Sequence, residues 1–173
     1  MLKLYNVDKR YVEYLRQFDN KVSEGKHKRP YIGVVCVVNG IKYYVPLSSP
    51  KPKHRTMRNS KDFHKIHDGR YGAVNFNNMI PVCDCDLLLI DIGSETDAAY
   101  KNLLWNQYFE IAKMAKDVRR KAINLYALAQ IDDDKLSVGD KKIKARCCDF
   151  RMLEEKLSEY VAAKQCCGLK ISG

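Results

Sequence analysis

The segment Pro46-Leu47-Ser48-Ser49-Pro50-Lys51-Pro52-Lys53-His54 ends an apolar run in two hydroxyls, two stiffening prolines at Pro50 and Pro52, and three cationic or protonatable groups. A turn of this composition can hold a phosphate. The hydroxyls of Ser48 and Ser49 and a backbone N–H donate to phosphate oxygens. Lys51, as a point charge, offsets the negative charge that grows on a phosphorane-like transition state. The plain alternative is a structural turn, because Ser-Ser-Pro at a strand end is often no more than that.

With RNA as substrate, the simplest reaction of this kind begins with the substrate's own 2′-hydroxyl attacking the adjacent phosphorus and expelling the 5′-oxygen. The products are a 2′,3′-cyclic phosphate and a 5′-hydroxyl, and the attack itself needs neither metal nor water. His54, Ser49 and Tyr31 are the candidate proton carriers. Serine and tyrosine act more easily as donors than as bases at neutral pH, and the sequence leaves the choice among the three open. His64 and His67, with Lys65 and Asp68, read as a short exposed helical turn that contacts RNA or solvent rather than the reacting atoms.

These side chains must be positioned by the elements around them. Residues 31–38 and 41–47 are apolar runs rich in β-branched residues, and Asn39-Gly40 between them is the dipeptide a type I′ hairpin turn favours. With Val38 opposite Ile41, uninterrupted pairing sets Tyr31 opposite Ser48, Pro30 opposite Ser49, Arg29 opposite Pro50 and Lys28 opposite Lys51. Two polar clusters distant in sequence then meet at the open end of the hairpin.

Elsewhere, Lys3-Leu4-Tyr5 reads as a short strand, and Tyr11, Tyr14, Leu15 and Phe18 as the core face of a helix that starts after an Asp8 cap. Residues 23–30 read as a mobile basic loop, and residues 71–76 and 80–91 as further strands, the latter with a start or bulge at Pro81. A barrel-like sheet follows. From Tyr100 to about Gln130, apolar residues keep helical spacing with no Gly or Pro, which predicts one long amphipathic helix, and a last helix is predicted over about 149–164. Neither repeats nor a linker divide the 173 residues, so the expectation is a single domain over 1–173 in the α+β class.

The net charge of +10 is unevenly placed: residues 21–70 hold 12 Lys and Arg against 3 Asp and Glu, whereas residues 71–173 hold 15 of each. All four histidines, His27, His54, His64 and His67, fall in the basic segment, as an electrostatic footprint for a polyanion would have it. A solvated basic face is the bland reading of the same pattern. The eleven tyrosines can stack bases as well as pack, though most must be core. No apolar run is long enough to span a bilayer, and charges run through the first 20 residues, so neither a membrane span nor a signal peptide is expected and the cytoplasm is favoured. Seven cysteines in C-x-C and C-C spacings fit neither a paired disulfide framework nor the usual structural zinc motifs, so no metal and no cofactor are expected.

Four stretches taken in order, Arg29-Pro30-Tyr31-Ile32-Gly33, the Pro46 to His54 segment, Asp62-Phe63-His64-Lys65-Ile66 and Asn77-Asn78-Met79-Ile80-Pro81, resemble the ToxN/AbiQ family of type III toxin–antitoxin toxins. The likeness runs from the N-terminal helix to Leu153-Glu154-Glu155-Lys156. It implies a MazF/Kid-like fold, a twisted antiparallel β-barrel core with helices packed on it, and a sequence-preferring endoribonuclease that works without metal. It also implies partners: a repeat-derived RNA antitoxin folded as a pseudoknot, a toxin–RNA hetero-oligomer, and cellular or phage mRNA as substrate, in abortive defence against phage. Carried over by position, the resemblance places the catalytic hydroxyls at Ser48 and Ser49, the motif lysine at Lys51 and a basic partner at Arg29, with Tyr31 a positional substitute for the family's loop tyrosine. Lys26, His27, Lys28, Lys53, Arg55, Arg58, His64 and Lys65 are the expected RNA contacts. A non-catalytic RNA-binding module needs the same charge and aromatics, and the Ser49/Lys51 pair is what argues for chemistry. A DNA-binding protein fits less well, because no basic helix sits in a helix-turn-helix pattern.

Overall fold

Asp8 starts the first helix as its residue type predicts. Its carboxylate accepts a hydrogen bond from Arg10 N at 2.7 Å, joining strand β1 (Lys3–Val7) to helix α1 (Lys9–Arg16). These elements belong to a computed structural model that describes residues 2–24 and 29–169, the last four as backbone only. Tyr11, Val12 and Leu15 are buried, but Phe18, expected in the core, is 43% exposed beneath the ammonium of Lys156, which lies 4.5 Å from its ring centre.

The hairpin forms as predicted between β2 (Tyr31–Val38) and β3 (Ile41–Ser48), with positive φ at Asn39 (50°) and Gly40 (81°). Its register holds only near the turn. Cys36 faces Tyr43, but beyond a register shift Ile32 faces Val45 and Tyr31 faces Pro46, not the expected Ser48. Residues 33–35 of β2 stand opposite Tyr44 alone, so β2 carries two extra residues, and the Tyr44 ring lies against Gly33 where a side chain would otherwise stand. A shift of two keeps every side chain on its own face, so the core survives it. At the open end, the Leu47 N–H now donates to Pro30 O at 2.9 Å.

The remaining strands are shorter than the sequence predicts: β4 (Phe63–Lys65), β5 (Ala73–Asn75), β6 (Ile80–Pro81) and β7 (Leu87–Leu89). A 3-10 turn at Asp84–Asp86 interrupts the expected 80–91 strand. His64 lies on β4 rather than in a helical turn, whereas His67 does begin a short 3-10 turn. Antiparallel pairings give the order β4-β5-β3-β2-β1-β7, with β6 also paired to β3. This path has two ends and no pairing joins them among the described residues, so the sheet is not closed into the expected barrel.

Helix α2 (Pro52–Thr56) follows β3 directly. The single helix expected over 100–130 is two, α3 (Ala98–Lys113) and α4 (Ala115–Gln130), parted at Met114 with φ −103° and ψ 19°. The break lets α3 reach the 3-10 turn at Ile92–Ser94 while α4 lies on β2, a tertiary demand that no Gly or Pro announces. Helix α5 (Val138–Arg146), capped by Ser137, is not signalled by an apolar stripe, and α6 (Phe150–Leu169) runs past the predicted end. Glu154 of α6 accepts from Tyr43 Oη at 2.7 Å and Tyr126 Oη at 2.9 Å, tying α4 and α6 to the sheet. Among the described residues no helix is long and apolar enough to cross a membrane.

Candidate active site

Strand β3 delivers Ser48 to its end still within the sheet, paired with Ala73 of β5. Its hydroxyl accepts a hydrogen bond from Asn75 Nδ2 at 2.8 Å and sits 3.5 Å from Ala73 O, to which it donates. Ser48 is therefore buried and oriented, whereas Ser49 and Lys51, one and three residues later, are exposed. Pro52 opens α2 at a position where the missing N–H costs nothing, and the short helix turns the chain back so that His54 is buried.

A cavity of about 420 Å³ opens here. One wall is Arg29, Leu47, Ser48, Ser49 and Lys51, and the other comes from α3 and its cap, with Asp97, Tyr100, Leu103 and Gln107. Asp97 caps α3, accepting from the N–H groups of Ala99 and Tyr100 at 2.9 and 3.0 Å, which fixes that wall. Gln107 is buried, its Nε2 donates to Tyr71 O at 2.8 Å, and its Oε1 has no partner among the described residues, leaving an acceptor beside the cavity. Arg29 directs hydrogen bonds to the carbonyls of Glu24 and Leu47 rather than to a carboxylate. Among the described residues, Lys51, Lys53, Arg55 and Arg58 make no ion pair, so a run of uncompensated cations leads from the cavity along α2. Hydroxyls, a clamp of two cations and a cavity of nucleotide size together suit a phosphodiester.

A model of the ToxN toxins of type III toxin–antitoxin systems matches residues 3–158 of the sequence. The chain belongs to the ToxN family. It is 36% identical over 163 residues to Endoribonuclease ToxN of Bacillus thuringiensis subsp. kurstaki, spanning 91% of this chain and 84% of that protein. Endoribonuclease ToxN of Pectobacterium atrosepticum is 29% identical over 170 residues, spanning 92% and 94%. A solved structure concerned with selective inhibition of a type III toxin by a non-coding RNA pseudoknot superimposes with a TM-score of 0.82 at 36% identity. That likeness covers 92% of this chain and 97% of that one.

Within this ToxN-family fold the site residues expected from sequence do not all share one place. Arg29, Ser48, Ser49 and Lys51 converge on the cavity, and Lys53, Arg55 and Arg58 stand exposed beside it. Tyr31 and His54 point inward: each is 2% exposed, and neither lines the cavity. Burial pushes the Tyr31 phenol far above its ordinary range, so the group stays protonated and does not serve as a base. His64 is half-buried, and the Lys65 ammonium lies 3.9 Å from Asp68. Lys26, His27 and Lys28 lie outside the described residues. Asn75, Gln107 and Asp97 were not singled out in the sequence, because each reaches the site from another element. The quoted pair Asn77-Asn78 has a different role. Asn77 accepts from Cys148 N at 2.8 Å and Asn78 donates to Lys21 O at 2.7 Å, clamping chain segments away from the cavity.

His54 carries a consequence for stability. Burial, then the charges of Lys51 and Lys53, hold its pKa below the usual histidine value, and its Nδ1 lacks a partner among the described residues. His64 is lowered likewise, by burial and then by Lys121. For a group lowered on folding, the unfolded chain binds the proton more readily, so stability rises with pH through the interval between the folded and unfolded values. Thermal unfolding should therefore show a falling Tm as pH drops below about 6.5, and His54→Gln should flatten that slope. A His54→Gln variant with the parent's full acid sensitivity would contradict the assignment.

Proposed function

We propose that this chain is an endoribonuclease toxin that prefers particular RNA sequences and cleaves by attack of the substrate 2′-hydroxyl, without a metal ion. The observation that carries this is the meeting of Arg29, Ser48, Ser49 and Lys51 on one cavity beside uncompensated cations. It is supported by the relatives' names, Endoribonuclease ToxN.

In the reaction the O2′–P bond forms as the P–O5′ bond breaks, the 2′ proton leaves to a base, and the departing O5′ takes up a proton. Arg29 and Lys51 offset the charge on the non-bridging oxygens while the Ser49 hydroxyl donates to one of them. Ser48, held by Asn75, keeps the end of β3 in place. Neutral at pH 7, His54 is the one candidate base that needs no deprotonation, and its burial means that it acts only if the turn at Lys51 opens or a bound water relays the proton. A pseudoknot RNA antitoxin fills the same groove, assembles with the toxin into a hetero-oligomer and silences it, and the pair works against phage from within the cytoplasm, where cellular or phage mRNA is the substrate. The inhibited toxin in the similar solved structure is the basis for this partner.

Incubation with mixed RNA in excess EDTA tests the reading. Fragments ending in 2′,3′-cyclic phosphate and 5′-hydroxyl are expected. Intact but bound RNA would instead favour a non-catalytic RNA-binding module. For binding, log K should fall linearly with log salt, and each of Lys53→Ala, Arg55→Ala and Arg58→Ala should reduce the slope by about 0.7, read by titration of a single-stranded RNA at several salt concentrations. An unchanged slope in all three would remove α2 and the residues just after it from the RNA path.

A further inference from the structure

The connection from β6 to β7 gathers two thiols and a carboxylate on one surface. Cys83 Sγ and Cys85 Sγ are 2.8 Å apart, Cys85 Sγ is 3.3 Å from Asp86 Oδ2, and one donor atom from each of the three lies within 4.8 Å of the others. The 3-10 turn at Asp84–Asp86 creates the cluster, because Cys83 caps it by accepting from Cys85 N at 3.4 Å, which brings both sulfurs to the same side. Cys85 is exposed and in no disulfide, and its sulfur touches only side chains of the cluster itself among the described residues. A small rotation opens the pair to the roughly 3.8 Å that separates two sulfurs on a tetrahedral ion with bonds of about 2.3 Å.

Asp86 gives the cluster a built inner side. Its side chain is buried, its Oδ1 is held by the ammonium of Lys164 and lies 3.5 Å from Tyr160 Oη, and among the described residues its Oδ2 has the sulfur of Cys85 as its polar neighbour. Two thiolates and a carboxylate carry three negative charges, which a divalent cation and the Lys164 ammonium together neutralise. A carboxylate as buried as Asp86 needs that balance, and an ammonium fixing the free oxygen of a ligand carboxylate is the outer-shell support that metal sites use. A fourth position stays open to water.

We infer that Cys83, Cys85 and Asp86 bind a thiophilic divalent cation of the zinc class, and that its binding fastens α6, through Lys164 and Tyr160, to the β6–β7 connection. The site is remote from the candidate catalytic cavity: Asp84 pairs with Lys42 at 2.5 Å, and Lys42 and Ser48 are six residues apart on β3, about 20 Å along a strand.

The test takes the full chain, stripped with chelator in a thiol-free reductant, and titrates it with Co²⁺ and then Zn²⁺. The expected result is a sulfur-to-cobalt charge-transfer band with tetrahedral visible bands, saturating at a single equivalent and displaced by zinc. Cys83→Ser and Cys85→Ser should each abolish it, Cys36→Ser in β2 should leave it, and Lys164→Met should weaken binding roughly tenfold or more. Zinc should raise Tm in the parent and not in Cys85→Ser, an exposed substitution that leaves the fold intact. No charge-transfer band, a band that survives Cys83→Ser and Cys85→Ser together, or a pair that peroxide converts to a disulfide but that takes up no metal would each overturn the site. None of these readouts involves RNA cleavage, so they stand or fall apart from the ribonuclease reading.

Discussion

Lys51→Ala is expected to lower the rate of RNA cleavage by roughly 10²–10³-fold while moving stability by no more than about 0.5 kcal/mol. Both expectations come from the same placement. Lys51 lines the cavity, is exposed and makes no ion pair among the described residues, so its charge is available to a phosphate and the fold does not depend on it. Ser49→Ala should behave in the same way, because the exposed Ser49 hydroxyl has no hydrogen bond within the described protein to lose. Lys51→Arg should restore only part of the rate, since a planar fork does not reproduce a compact ammonium. Single-turnover cleavage in EDTA, with thermal melts of the same preparations, measures both halves, and cleavage at the parent rate by Lys51→Ala or Ser49→Ala would remove those residues from the mechanism.

Gly72→Ala should have the largest effect on the fold. Gly72 sits at φ +93° immediately before β5, and a Cβ there would stand 1.9 Å from the carbonyl oxygen of Ser48. The backbone conformation alone costs a residue with a side chain on the order of 1–3 kcal/mol, and the collision is with main chain, which no rotamer change relieves. The β3–β5 pairing at Ser48 and Ala73 must then spread. A loss of about 3 kcal/mol or more is expected, equivalent to roughly 6–12 °C in Tm for a chain of this size. Cleavage should be lost with it, because Ser49 and Lys51 follow the displaced carbonyl. Gly139→Ala in α5 is the control: the nearest atom to its Cβ would be Ser137 Oγ at 3.9 Å, so that change should be neutral or slightly stabilising. A Gly72→Ala protein that melts with the parent would show that the loop before β5 yields freely.

Local signals are legible in the sequence where one segment decides its own conformation. Asp8 as a cap, Asn39-Gly40 as a turn and the β-branched runs beside it all formed, because a cap bond or a positive φ depends on residues within a few positions. The Ser48 to Lys51 turn was legible for the same reason, and its clustering with Arg29 on one cavity agrees with the expectation drawn from the hairpin. Yet the detailed register was off by two residues beyond Cys36, since a bulge accommodating the Tyr44 ring is a packing decision. The break at Met114 and the open sheet are of the same kind: pairing of distant strands and the seating of helices decide them, and no residue type encodes either.

Residue order alone is enough to show that this ToxN-family chain has a basic segment, a hydroxyl and lysine turn, and a hairpin that carries them. Charge and backbone preference are properties of single residues and survive any arrangement of the chain. Which of those groups reach solvent and the cavity depends on how distant segments pack. That packing buried His54 and Tyr31, exposed Ser49 and Lys51, and supplied Asn75 and Gln107 from other elements. It also set Asp86 behind two cysteines whose spacing alone argued against a metal. The cost of desolvating a charge or a polar group depends on its neighbours in space, and those neighbours come from across the chain.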